Sequence, residues 1–149
     1  MPYETFEHTA DVGIEARGTS LRELFASAAE GMMSLLIDPA AVRAAEHREI
    51  RVGSDDLEGL LVDWLNELLV LLNADGFVPA AFNVTEVSES PNHSLRSGSG
   101  QASALVADVS GEPVDPVRHR FRLDVKAATY HQVHVGKNDE WRARVILDV

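Results

Sequence analysis

The chain has 149 residues, and its 24 acidic and 13 basic side chains give a net charge of −11, so one domain with its own hydrophobic core is expected. Because the sequence contains no cysteine, a disulfide framework, a thiolate zinc site and a cysteine nucleophile are excluded. The acidic balance predicts no strong direct binding of nucleic acid, since such binding depends on cationic groups that displace counterions from phosphates.

The N-terminal region predicts a strand followed by a helix. From Asp11 to Gly18, apolar and polar residues alternate, which is typical of a strand with one buried face. Ser20 and Glu23 have the spacing of a capping box and precede apolar residues at helical intervals. We expect this amphipathic helix to end just before Pro39.

A second amphipathic helix is predicted after a short candidate strand at residues 50–52. Asp55 and Glu58 repeat the capping-box spacing. The apolar stripe that follows is broader than in the first helix, so this helix is expected to be the more buried, and it should end near Asn73. The stripe consists of Leu57, Leu60, Leu61, Trp64, Leu65, Leu68, Leu69 and Leu72.

The second half of the sequence predicts mainly strands. Candidate strands lie at residues 81–87, 102–109, 117–126, 131–135 and 141–149. The stretches "SGEPVD" and "GKND" have the length of hairpin turns, whereas the polar stretch 88–101 is long for one and is expected to be mobile. Early helices followed by strands predict an α+β fold, a single domain of residues 1–149 with a mainly antiparallel β-sheet packed on two amphipathic helices.

The common catalytic motifs are missing from the sequence. It contains no phosphate-binding glycine motif, no nucleophile elbow and no pair of metal-binding histidines on a helix. His131 and His134 lie three residues apart in a candidate strand, so their side chains are expected on opposite faces and do not suit chelation of one ion. The sequence therefore favours no histidine zinc site.

Carboxylates near the two ends of the sequence form a candidate metal site. In the last predicted strand, "WRARVILDV", Asp148 lies on the face opposite the apolar row that begins at Trp141. If this strand is paired to its end, Asp148 and the α-carboxylate of Val149 lie close together, and pairing can bring Asp11 to them. Three carboxylates suit calcium, magnesium or manganese. The alternative is a frayed end with Asp148 in water.

Lys126 opens the stretch "KAATYH" and follows an alternating apolar row of Phe121, Leu123 and Val125. In a strand it lies on the side opposite that row. On its own it is expected to be a solvated strand residue. It becomes a candidate functional group only if it lies near the carboxylates.

Five motifs occur in order along almost the whole sequence: "EHTADVGI", "DDLEGLLVDWLNELL", "GEPVD", "KAATYH" and the terminal "VILDV". In this combination the sequence resembles the archease family. The resemblance implies a small α+β protein, not itself an enzyme, that activates the RNA-splicing ligase RtcB by promoting its guanylylation and multiple turnover. That ligase joins RNA ends in tRNA splicing or RNA repair. Glu112, in "GEPVD", matches a turn of the family and is either structural or part of the functional surface.

The resemblance also implies the residues of a site. It places metal ligands at Asp11, Asp148 and the terminal carboxylate of Val149, with calcium as the first candidate ion and manganese or magnesium as alternatives. It places a functionally important lysine at Lys126. His8 is expected beside the ligands, shaping the turn around them, rather than among them.

Two other classes of function stay open from the sequence. An open metal site can activate water, which allows a small divalent-metal-dependent hydrolase, although no general base is evident. A general chaperone or binding module with a structural metal is the other class. No secretory signal is present and no apolar run reaches the roughly 20 residues of a membrane span, so a cytoplasmic protein without membrane contact is expected.

Overall fold

The computed structural model of the chain describes residues 3–7, 11–89 and 103–149. In this part of the chain, a 3₁₀ turn at Pro39–Ala41 follows the first helix. The main elements are, in chain order, β1 (Tyr3–Glu7), β2 (Asp11–Gly18), α1 (Leu21–Leu36), β3 (Glu46–Ser54), α2 (Leu57–Asn73), β4 (Phe77–Glu89), β5 (Ser103–Pro113), β6 (Ala127–Lys137) and β7 (Trp141–Asp148).

These strands form two antiparallel sheets. The first sheet has the order β1-β2-β7-β6, and the second has the order β3-β5-β4. Each helix packs against strands of both sheets, and the buried side chains form one contiguous core. The α+β class, with antiparallel pairing and two helices, is therefore confirmed, and the strands are divided between two sheets.

Helix α1 begins at the predicted capping box. The Ser20 hydroxyl accepts a hydrogen bond from the backbone N–H of Glu23 (3.1 Å), and the Glu23 carboxylate accepts one from the N–H of Thr19 (3.2 Å). The first bond satisfies an N–H group that the start of a helix leaves without a partner, and the second ties the residue before the cap to the first turn. The helix ends at Leu36, before Pro39, as predicted.

Helix α2 is apolar around most of its circumference because it lies against both sheets. The indole N–H of the buried Trp64 donates to the carbonyl oxygen of Phe25 (2.9 Å) and so joins the two helices. The helix is capped by Asp56, which accepts from the N–H of Gly59 (2.7 Å). The prediction of Asp55 as the cap is wrong by one residue. A side chain at Gly59 would interfere with this start of the helix, since its Cβ would clash with the Ser54 hydroxyl and lie 3.1 Å from the Asp56 carboxylate.

The predicted strand at residues 117–126 is wrong. A turn at Asp115 overrides its alternating pattern, because the Asp115 side chain accepts hydrogen bonds from the next two N–H groups with a donor, at 3.0 and 3.3 Å. Arg118 and His119 then point inward to a carboxylate of β5. The rest of the segment reaches β6 without strand pairing.

The two predicted hairpin turns have different outcomes. The stretch "GKND" does connect β6 to β7, where Lys137 is paired with Trp141. The stretch "SGEPVD" is not a turn, because the chain continues as β5 to Pro113. There Gly111 is paired with residues of both β3 and β4, so two neighbouring strands keep the chain extended.

Strand β1 is not among the predicted strands, and β3, β4 and β6 are longer than predicted. Most of the predicted mobile stretch, residues 90–101, lies outside the described residues. In the ranges that the structure covers, every helix is too short or too polar to cross a membrane.

Candidate functional site

The two aspartates of the predicted metal site are direct neighbours in the first sheet. In the antiparallel pairing of β2 with β7, Asp11 is opposite Asp148. Residues in this relation point to the same face, with Cβ atoms about 4.5–5.5 Å apart. Ala127, at the start of β6, is paired with Asp148 on its other side. Three strands thus meet at this end of the sheet, where Asp11 and Asp148 form what we call the carboxylate pair.

The carboxylate pair lacks a compensating cation within the described residues. Both aspartates are half-buried, and neither side chain has a hydrogen bond or ion pair in that part of the chain. Like charges directly opposite each other destabilise strand pairing. Strand β7 is nevertheless paired as far as Asp148, so this end of the strand is not frayed.

Val149 extends this end of β7 by one residue. It is half-buried, and its side chain packs against the core beside the carboxylate pair. Two aspartates and the carboxylate of a chain that ends here make a donor set of oxygens only, which fits calcium, magnesium or manganese. Among residues 3–7, 11–89 and 103–149, no three acidic or histidine side chains are grouped to hold an ion. His8 lies outside the described residues.

Lys126 is attached to the same end of the sheet through its backbone. Its N–H donates to the carbonyl oxygen of Asp148 (2.8 Å), and its side chain is exposed. Lys126 also lines a shallow hollow of about 440 Å³ together with Asn73 and Ala74, at the end of α2. The C-terminal end of a helix carries partial negative charge, which suits a cation. The structure thus places the backbone of the predicted lysine beside Asp148, while its side chain lines the hollow at the end of α2.

Asn66 of α2 fixes the start of β6, although it is not among the predicted site residues. Its side-chain amide donates to the carbonyl oxygen of Ala128 (3.2 Å) and accepts from the N–H of Ala128 (2.7 Å). It thereby takes the place of a neighbouring strand at the open edge of β6. Farther along that edge, Glu58 accepts from the N–H of Val135 (3.1 Å). The available sequence signal was the spacing of Glu58 and Asn66, which lie about two turns apart among the polar residues of α2.

Strand β6 is bulged soon after this attachment. Between Thr129 and His134, β6 advances five residues while its partner β7 advances two. Gln132, inside the bulge, has φ of 57°, a left-handed value that few residues other than glycine adopt. Bulges re-aim side chains near functional sites. Here the bulge separates the segment that carries Lys126 from the rest of the strand.

Glu112 lies on β5, in the second sheet, and strand pairing does not bring it to the carboxylate pair. The residue is buried, and its carboxylate accepts four hydrogen bonds: from the N–H of Arg43 (2.7 Å), from the Arg118 guanidinium (2.6 and 2.7 Å) and from His119 Nε2 (2.9 Å). His119 Nδ1 accepts from the N–H of Asp115 (2.8 Å), so Nε2 carries the proton. The bonds from Arg118, above all, hold the pKa of Glu112 well below its usual range.

Comparison with known proteins identifies the family. The profile of the Archease protein family (MTH1598/TM1083) matches residues 3–149, a range that includes the carboxylate pair and Lys126. The chain belongs to the archease family. Protein archease of Methanosarcina acetivorans is 40% identical over 148 residues, which cover 99% of this chain and 95% of that protein. Protein archease of Pyrococcus abyssi is 34% identical over 149 residues, with 99% and 98% covered.

Two solved structures resemble this archease along nearly its whole length. The solution structure of protein 1598 from Methanobacterium thermoautotrophicum has a TM-score of 0.79 and 33% identity, and the match covers 99% of both chains. A crystal structure of an archease from Thermotoga maritima, described as a possible chaperone, has a TM-score of 0.57 and 19% identity, with 98% and 96% covered. The Thermotoga likeness concerns the fold alone.

Proposed function

We propose that this archease is a metal-binding activator of an RtcB-type RNA ligase and promotes guanylylation and multiple turnover of the ligase without joining RNA itself. The observation that carries the proposal is the carboxylate pair, in which Asp11 and Asp148 face each other without a cation among the described residues. Lys126 is hydrogen-bonded to the second of these residues. Family membership supports an accessory role of this kind.

The metal would be held by Asp11, Asp148 and, in a chain that ends at Val149, its α-carboxylate. A divalent cation bound there offsets phosphate charge during nucleotidyl transfer to the ligase. Calcium is the first candidate ion, and manganese or magnesium are alternatives. The paired strands hold the two aspartates at a fixed separation. Binding of the ion therefore costs little conformational entropy.

Lys126 is the group that would contact the partner. Its backbone is fixed by Asp148 while its side chain stays exposed. A lysine held in this way can pair with a phosphate oxygen or with a carboxylate of the ligase through charge-assisted hydrogen bonds. In this proposal, the ion and the cationic side chain meet the ligase from the same end of the first sheet.

A chaperone activity is the second candidate function. The Thermotoga maritima relative with the same fold is described as a possible chaperone. In that case the chain would keep the ligase folded, and the intrinsic rate of guanylylation per active ligase molecule would not change.

The test is the rate at which a purified RtcB-type ligase from the same organism is guanylylated by GTP. We expect the parent chain to stimulate this rate and Asp148→Asn to reduce the stimulation by at least about tenfold, because the change removes a ligand charge. Asp139→Asn, in the exposed connection between β6 and β7, is the matched control and should activate like the parent.

Full activation by Asp148→Asn would overturn the proposal. Stimulation that disappears when the rate is expressed per active ligase molecule would favour the chaperone function. GTP turnover by the chain alone, lost in Asp11→Ala, would identify a hydrolase instead.

A further inference from the structure

The outer face of the first sheet carries its charges in separate rows. Residues opposite each other in antiparallel strands point to the same face, and this face lies opposite the buried row of Ala143, Val145 and Leu147. From one end to the other, its rows across β2, β7 and β6 are Asp11–Asp148–Ala127, Gly13–Ile146–Thr129, Glu15–Arg144–His134 and Arg17–Arg142–Gly136. The Asp11 and Asp148 carboxylates therefore occupy one end of the face, and the guanidinium groups occupy the other, with the Glu15 carboxylate among them.

Two arginines oppose each other directly at the second end. Arg17 of β2 is paired with Arg142 of β7. In the described part of the chain, Arg17 makes no hydrogen bond or ion pair. Arg142 reaches Glu140 at 3.4 Å, with 62% of its side chain exposed. Like charges in this position destabilise the sheet unless an anion lies between them.

The same arginines line a hollow of about 330 Å³ on this face. Its polar lining consists of Arg17, Arg142, Arg144, His134, Glu4 and Glu15. The Arg144 guanidinium forms an ion pair with the Glu15 carboxylate at 3.3 Å. The imidazole of His134 lies over Gly136, the strand partner of Arg142, since a Cβ at Gly136 would fall 2.8 Å from its Nε2. Cationic groups thus converge on one concave surface of an acidic protein.

We propose that this arginine hollow binds the phosphodiester backbone of single-stranded RNA. Guanidinium groups match phosphate oxygens with paired hydrogen bonds, and the hollow supplies three of them. No phenylalanine, tyrosine or tryptophan lines its described part, so a base could stack there only on His134 or on a guanidinium plane, and such stacking tolerates any base. The hollow therefore recognises the backbone and not the sequence. The source of the RNA rests on the proposed function, in which the partner is an RNA ligase.

The distribution of charge on this face also limits where the RNA can lie. The carboxylate pair lies six residues along β7 from Arg142, which is about 20 Å. Carboxylates repel phosphates, so RNA is excluded from that end while the arginines hold it at the other. The net charge of −11 opposes binding overall, and we expect a dissociation constant of about 10⁻⁵ M at low salt.

The experiment is fluorescence anisotropy of a labelled single-stranded RNA, about 12 nucleotides long, titrated with the full chain at about 20 mM salt. We expect the variant that combines Arg17→Gln with Arg142→Gln to bind at least about tenfold more weakly, with a salt slope reduced by about 1.4, which is about 0.7 for each charge removed. The matched control combines Arg51→Gln with Arg120→Gln, which are exposed elsewhere. It removes the same charge and likewise one paired and one unpaired arginine.

An equal loss in the control would reduce the effect to net charge and overturn the proposal. The proposal would also be overturned if the parent chain fails to bind the RNA. The same holds if a polyglutamate peptide of the same length displaces the labelled RNA as well as unlabelled RNA does. The last result would point to an acidic protein segment as the occupant. Unchanged melting temperatures in both double variants would show that the fold is intact.

Ligase guanylylation without RNA separates this inference from the proposed function. The Arg17 and Arg142 double variant should stimulate guanylylation like the parent, because RNA is not a reactant in that step. Stimulation by a parent chain that fails to bind RNA would overturn only the arginine hollow. RNA binding that depends on these arginines, in a chain that does not stimulate the ligase, would overturn only the proposed function.

Discussion

Glu112 shows how a single buried residue couples this fold to pH. Its carboxylate is kept ionised by the Arg118 guanidinium, the N–H of Arg43 and His119, and its pKa lies below the ordinary value of 4.5. In the unfolded chain the pKa returns to that value. The unfolded state therefore binds a proton that the folded state does not, so the free energy of unfolding falls as the pH drops below about 4.5.

We expect Glu112→Gln to lower the melting temperature by several degrees at neutral pH, because Arg118 loses its ionised partner. The variant should also lose less stability than the parent between about pH 6 and pH 3. Thermal denaturation followed by circular dichroism across that range measures both effects. Glu49→Gln, an exposed partner of Arg51, is the control. Parallel pH curves for Glu112→Gln and the parent would contradict this account.

At the residue scale, the sequence identifies candidate site residues better than it identifies the contacts between them. Asp11, Asp148 and Lys126 are all identifiable from motifs and from their places in strands, and the structure puts them at one end of a sheet. Asn66 escapes prediction because its partner is the backbone of a residue 62 positions away. Side chains that bind distant backbone atoms leave no spacing in the sequence to detect.

At the scale of elements, the attachment of β6 to α2 decides where Lys126 lies. Strand β6 is at the edge of its sheet, and Asn66 satisfies both backbone groups of Ala128 on the open side. Without this amide, those groups must turn to water, and the strand end that carries Lys126 gains freedom. Asn66 is therefore a positioning residue for the lysine rather than a ligand of the metal.

We expect Asn66→Ala to destabilise the fold by about 1–3 kcal/mol, the cost of leaving buried backbone groups unpaired. Hydrogen exchange at the amide of Ala128 should accelerate, and stimulation of the ligase should fall while calcium affinity stays that of the parent. Asn83→Ala, at an exposed position of β4 in the second sheet, is the matched control. Unchanged exchange at Ala128 would show that the amide does not hold the strand.

The helices were predictable as elements because caps and apolar spacing are local signals, and α1 begins at its predicted cap. The strand predicted at residues 117–126 is wrong because the turn at Asp115 and the hydrogen bonds from Arg118 to Glu112 outweigh the alternating pattern. Division of the strands into two sheets depends on pairings between distant segments, such as β2 with β7. Local periodicity contains no information about such pairings.

At the scale of the whole molecule, β6 spans the distance between the two proposed sites. Lys126 precedes β6 beside the carboxylate pair, and Lys137 is the last residue of β6, next to the row that contains Arg142. Seven residues of the partner strand β7 separate the two ends, which corresponds to about 23 Å. These are the only two lysines of the sequence, so each end of the first sheet carries one amine.

This layout allows contact with the ligase to be located by lysine-selective chemical labelling. If the carboxylate end meets the ligase, Lys126 should be protected in the complex by at least about fivefold, because an amine buried in an interface and paired with an anion is a poor nucleophile. Lys137 should react as in the free chain, because it lies at the other end of the sheet. Its side chain is exposed there, with Nζ 5.8 Å from the centroid of the Trp141 ring. Mass spectrometry of the labelled peptides measures both residues in one sample, and each serves as the control for the other.

Protection of Lys137 alone would place the ligase at the arginine end and remove Lys126 from the proposed contact. Equal reactivity of both lysines in the free chain and in the complex would contradict a contact through either end of this sheet.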